Sequence, residues 1–255
     1  CPVPVEDFFP LLPFAMTSAQ KRAVKEICAD LKSGRPMNRL VQGDVGSGKT
    51  AVAAACAYMV CKSGWQAAMM APTELLAQQH FRTLSRLLAP AGITVGLLTG
   101  SLKPSEKKGM HAALAAGEID FVVGTHALLS KGVAFARLGL IITDEQHRFG
   151  VEQRAALAAK ANTPGDPPLK GEPRSPHVLV ISATPIPRTL ALIVYGDLDV
   201  SILDELPPGR TPVETYLIGE DKRARMYRFV RKLVGEGRQV YMVCPAVEES
   251  EAADD

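Results

Sequence analysis

Apolar and polar positions along the chain fall into two alternating kinds of segment. Short, mostly apolar runs of strand length occur at "RLVQ" (39–42), "AAMMA" (67–71), "ITVGLL" (93–98), "FVVG" (121–124), "LGLIIT" (138–143) and "HVLVIS" (177–182). Between several of them lie Ala- and Leu-rich stretches with helical spacing, at 50–61, 74–89, 105–116 and 152–160. Strands that are apolar on both faces need cover on both faces, and intervening helices supply it. The pattern predicts an α/β fold with a mostly parallel sheet and helices on both sides.

Two stretches interrupt the alternation. Residues 162–176, "NTPGDPPLKGEPRSP", hold five prolines and two glycines and read as a loop. "ELPPGRTP" (205–212) has the same character and reads as a linker. A new unit is expected after it: a strand at 213–219, a helix from about 221 to 235 and a strand at 238–244. The expected division is an N-terminal linker (1–13), a first domain (14–204), the linker (205–212) and the beginning of a second domain (213–255). The helix near 222–232 sets Lys222, Arg223, Arg225, Arg228, Arg231 and Lys232 against Met226, Phe229, Val230 and Leu233. Both a DNA contact and a solvated amphipathic face fit that pattern.

Composition narrows the picture a little. Hydrophobic residues make up 47% and charged ones 22%, which argues against disorder. No apolar run approaches the roughly 18 residues of a membrane span. A net charge of +2 neither requires nor excludes a nucleic-acid partner. The N-terminus has no basic region before its apolar stretch, so it is not read as a signal peptide. It also lacks an initiator Met, and the chain is expected to be a piece of something longer. Five cysteines without a CxxC pair read as free thiols in a reducing, cytoplasmic setting.

The chemistry begins at "GDVGSGKT" (43–50), which fits G-x-x-x-x-G-K-[ST] between a strand-like run and a helix-forming stretch. Gly43, Gly46 and Gly48 permit close approach of the backbone to a ligand. The N–H groups of Gly43, Asp44, Val45, Gly46, Ser47 and Gly48, with the following helix N-terminus, suit an anion. Lys49 is expected to reach the β- and γ-phosphates of ATP, and Thr50 to place its hydroxyl on Mg²⁺. Such a loop needs a further carboxylate at the end of a neighbouring strand. Asp144 closes an apolar run and is the candidate for the metal. Glu145 follows it and is expected to serve the attacking water. His147 has no second His or Cys at ligand spacing and reads as a hydrogen-bonding relay.

The other apolar runs end in similar material: "PTELLAQQH", "TG", "THALL", "DEQH" and "SATPIPRT". Ligands of open α/β sheets bind outside the carboxyl ends of the strands, so one sheet edge reads as a working surface. This set resembles the superfamily 2 helicases and translocases. "GDVGSGKT" is similar to their motif I, "APTELLAQQH" to Ia, "VGTHALL" to Ib, "DEQH" to II and "SATP" to III. Phe14 with "MTSAQ" is similar to the adenine-reading Q motif. Longer phrases, "DEQHRFGVEQR" and "YGDLDVSILDELPPGR", resemble bacterial replication-fork helicases more than the transcription-repair coupling translocases that share this core.

The resemblance implies a RecA-like P-loop NTPase domain followed by the start of a second RecA-like domain. It implies that Gln20 and Phe14 meet adenine. Gln146, His147, Ser182 and Thr184 would couple nucleotide state to DNA. Thr73, Thr99, Gly100, Thr125 and His126 would lie along a DNA backbone. It further implies ATP and Mg²⁺ as cofactors, branched DNA as partner, a monomer, no membrane, and a bacterial cytoplasmic location at the nucleoid. The later motifs that supply arginine fingers lie outside the 255 residues. This stretch alone is therefore expected to bind nucleotide weakly, hydrolyse it slowly and not unwind DNA. Two other readings remain on the residues alone: a nucleotide-binding switch module, and a small-molecule kinase. The kinase leaves the strand-end motifs without a role.

Overall fold

The computed structural model describes residues 3–144, 156–161, 175–183, 198–205 and 213–243. The chain divides into two compact units, Cys1–Arg210 and Thr211–Asp255.

The first unit is built on seven parallel strands. They are β1 (Asn38–Gly43), β2 (Gln66–Met70), β3 (Val95–Leu98), β4 (Phe121–Gly124), β5 (Leu138–Asp144), β6 (His177–Ser182) and β7 (Asp199–Leu203). Their spatial order is β3-β4-β2-β5-β6-β1-β7, and every recorded pairing is parallel. Among the described residues they are accompanied by helices α1 (Ser18–Lys32), α2 (Lys49–Lys62), α3 (Glu74–Leu88) and α4 (Pro104–Ala116).

Period-two alternation explains how the sheet is covered on both faces. Val41, Ala67, Met69, Phe121, Val123, Leu140 and Ile142 join one core with α1, α2 and α3. Their neighbours Ala68, Met70, Val122 and Ile141 join a second core with Leu114 of α4 and Leu157. Each Leu, Ile, Val, Phe or Met side chain fully buried this way contributes about 1.5–3 kcal/mol. α2 lies deepest: every residue from Ala51 to Cys61 is buried. That matches a helix apolar all round and packed with small residues. Burial pushes the Cys56 thiol up, and the Cys61 thiol up to about 12, so neither is a reactive thiolate.

Several expectations change. α1 and β7 lie where no element was expected. α1 is opened by a capping box, in which Thr17 Oγ1 accepts from Gln20 N at 3.3 Å and Gln20 Oε1 accepts from Thr17 N at 3.0 Å. The segment before residue 14, expected as a linker, carries core side chains. Val5, Phe8 and Leu12 are buried, and Phe8 stacks on Tyr58 of α2 with centroids 4.9 Å apart. The strand carrying Asp144 is also not the neighbour of the phosphate-loop strand: β6 lies between β5 and β1. β6 is laid down after β5 and bonds to both, Leu140–Asp144 on one side and Asn38–Gln42 on the other.

In the second unit, α5 (Arg223–Gly235) forms as expected. The strands expected at 213–219 and 238–244 do not form over the described residues 213–219 and 238–243. Val213, Tyr216, Leu217, Tyr241 and Val243 are exposed there. Two lone strands without a covered face are marginal at best in water, which accounts for the difference.

Candidate nucleotide site at the carboxyl edge of the sheet

β1 runs straight into the loop Gly43–Gly48, and α2 begins at Lys49. Gly48 is the helix N-cap in the left-handed region, at φ 82° and ψ 26°. The positive φ favours glycine, and an added Cβ there would lie 2.2 Å from Gln20 Nε2 and push that amide off the loop. Gly43 is as tightly hemmed: a Cβ would meet Ser47 Oγ at 2.6 Å and Leu203 Cβ at 2.9 Å. The apex of the loop faces outward, with Asp44, Val45 and Gly46 exposed.

Gln20 braces this loop. It is buried, and its Nε2 donates to Ser47 O at 2.8 Å while its Oε1 caps α1. The residue expected to meet adenine thus has most of its amide committed to protein. Phe14, its expected companion, is exposed. Lys49 Nζ donates to Gly43 O at 2.7 Å and to Asp44 O at 2.8 Å. Its ammonium therefore sits over the loop from which phosphate oxygens would draw it. Ser47 Oγ is buried with no hydrogen-bond partner among the described residues. A cleft of about 260 Å³ opens beside the loop, lined by Gln42, Gly43, Asp44, Ala183, Leu203 and Asp204 among others.

Asp144 ends β5 and is 9% exposed. Its Oδ2 lies 2.5 Å from Nε2 of His80, within hydrogen-bond reach. Sequence reasoning passed over His80, although a signal was present. It stands three residues after buried Ala77 and four before buried Leu84, on the inward stripe of α3. A polar side chain in an apolar stripe needs a partner. Ser182 closes β6, fully buried, between the strands of Asp144 and the phosphate loop. Glu145, Gln146, His147 and Thr184 lie outside the described residues.

The residues expected along DNA gather where β2, β3 and β4 end. Thr73, Gly100 and His126 are exposed there, whereas Thr99 and Thr125 are buried and turn away from solvent. Thr73 caps α3, accepting from Leu76 N at 3.3 Å. Glu74 accepts from Ser101 N at 2.9 Å. Hydrogen bonding from Ser101 holds its carboxyl below the usual range.

The donor set fits a magnesium nucleotide. The loop's glycines leave room that side chains would fill, and the hard oxygen donors of Thr50 and Asp144 are the kind Mg²⁺ prefers. A loop of this form between a strand and a helix, at the carboxyl edge of a parallel sheet, defines a P-loop nucleotide-binding protein. A family profile described as DEAD/DEAH box helicase matches residues 17–193. The chain belongs to the DEAD/DEAH box helicase family.

Among individual proteins, it is 52% identical over 250 residues to the ATP-dependent DNA helicase RecG of Synechocystis, covering 98% of this chain and 29% of that one. It is 52% identical over 240 residues to RecG of Aquifex aeolicus, covering 94% and 29%. A solved structure of RecG bound to a three-way DNA junction superposes with a TM-score of 0.77 at 45% identity, covering 91% of this chain and 30% of that one. The chain therefore spans about 30% of the length of the relatives it matches.

Proposed function

We propose that this chain is the nucleotide-binding motor core of an ATP-driven DNA helicase or translocase that remodels branched DNA, such as stalled forks and four-way junctions. The observation that carries the reading is the braced phosphate loop, with Gln20 fixed on Ser47 O and glycine favoured at 43 and 48. The similarity to RecG proteins supports the choice of DNA as partner.

In this reading the loop N–H groups and Lys49 hold the triphosphate, and Thr50 and Asp144 hold Mg²⁺. Mg²⁺, when bound, neutralises phosphate charge and polarises the phosphoryl group. Glu145 orients the attacking water. Gln146, His147, Ser182 and Thr184 report nucleotide state to the DNA side. Thr73, Gly100 and His126 present a backbone-contact edge, where contacts position the duplex without reading sequence. Gln20 serves first as a brace for the loop and reaches adenine only with what remains of its amide. These 255 residues alone bind nucleotide weakly, hydrolyse it slowly and do not unwind DNA, since an arginine finger is worth roughly 10³–10⁵ in rate.

The runner-up is a transcription-repair coupling type translocase, and beyond it a nucleotide switch without movement. The test is the ATPase rate of the full-length protein with and without three-way junction DNA. Strong stimulation by the junction, exceeding that by linear duplex, supports the proposal. Equal stimulation by linear duplex favours the coupling-type translocase, and a flat rate favours the switch.

A further inference from the structure

Helix α3 is pinned at two places that serve different ends of the site. In its first turn Glu74 accepts from Ser101 N at 2.9 Å, where β3 gives way to α4. On its inward face His80, with a side chain 12% exposed, holds Asp144 at 2.5 Å. At 1.5 Å rise per residue, Thr73 and His80 are about 10 Å apart along the helix axis. An ionised carboxylate only accepts hydrogen bonds, so Nε2 carries the hydrogen. Fixing one carboxylate oxygen sets the direction in which the other faces.

We propose that His80 is a positioning residue for the metal-holding carboxylate of Asp144, and that α3 thereby ties the metal site to the Thr73, Gly100 and Ser101 edge. The inference rests on the nucleotide reading above. His80 touches neither nucleotide nor metal. It acts by aiming Asp144, as partners of metal-binding carboxylates generally do.

The test is Mn²⁺ affinity of the full-length protein in the presence of ADP, read by electron paramagnetic resonance. Nucleotide affinity in EDTA and the melting midpoint are measured beside it. His80→Leu removes the donor and keeps an apolar residue on the stripe. It is expected to weaken Mn²⁺ binding about 10-fold or more. Nucleotide affinity in EDTA stays within about twofold, because the phosphate loop is untouched. His80→Gln keeps an N–H at similar reach and is expected to recover most of the loss. If His80→Leu does not fold, His80→Asn takes its place, since its shorter amide falls short of Asp144 and must show the same weakening. A folded donor-less variant with wild-type Mn²⁺ affinity overturns the proposal. So does a folded His80→Gln that behaves like the donor-less variant. Wild-type protein that binds neither ADP nor Mn²⁺ instead overturns the nucleotide reading beneath it.

Discussion

Gln20 Nε2 lies 2.8 Å from the carbonyl oxygen of Ser47, 27 residues further along the chain, and closes off the space beside Gly48. This contact joins the capping box of α1 to the phosphate loop, so the loop's shape depends on a helix outside the loop motif. Gly48→Ala would place a methyl group 2.2 Å from Nε2 and demand φ 82° of a residue with a Cβ. The expected outcome is loss of nucleotide binding and about 1–3 kcal/mol of stability. Gln20→Ala leaves a buried carbonyl without its partner and costs about 1–3 kcal/mol. In the double variant the clash is gone, so the two losses sum to more than the pair costs together. A double-mutant cycle on thermal unfolding checks this.

Phe8 is fully buried and stacked on Tyr58. Phe8→Ala is expected to destabilise the first unit by about 3–5 kcal/mol. Denaturant unfolding measures it, and a change under 1 kcal/mol would return residues 5–12 to the status of a linker.

His177 opens β6, and its Nδ1 accepts from Met37 N at 2.9 Å. Burial holds its pKa below the ordinary 6.5. The sign follows: as pH falls through 6.5 the unfolded chain takes up a proton that the folded one refuses. Stability from this site is intact above 6.5 and declines below it, until pH reaches the depressed folded value. His177→Asn, with a non-titrating acceptor, is expected to flatten that acid slope in melting midpoints measured as pH falls below 6.5. An unchanged slope would assign the acid loss to other groups.

Six of the seven strands were legible because their apolar runs carry a burial signal on both faces. β7 was not, because its inward residue Ser201 is polar and faces Arg39 at 2.9 Å, while its apolar Ile202 is exposed. Leu203 is its one buried apolar residue, too little for an alternation to show. α1 had a readable start in Thr17 and Gln20 and an apolar stripe at Ala19, Ala23, Val24, Ile27 and Leu31. That stripe is nearly as well marked as that of α3, so α1 was legible in the sequence and sequence reasoning passed over it. In the site, Gly43 to Thr50 were legible as candidates because their spacing fits a phosphate loop, and Asp144 because it closes an apolar run. His80 was not, since its partner lies 64 residues away and only the fold brings them together.

Lys49 is the side chain through which the braced loop at 43–50 is proposed to hold a nucleoside triphosphate. Isothermal titration of the non-hydrolysable βγ-imido analogue of ATP, with Mg²⁺, into wild-type and Lys49→Ala protein tests it most directly. One-to-one binding to wild type is expected, weakened about tenfold or more in Lys49→Ala protein that still unfolds cooperatively, its melting midpoint lowered only by the loss of the bonds to Gly43 O and Asp44 O. Equal affinity for the two proteins, or no binding by folded wild type, would contradict it.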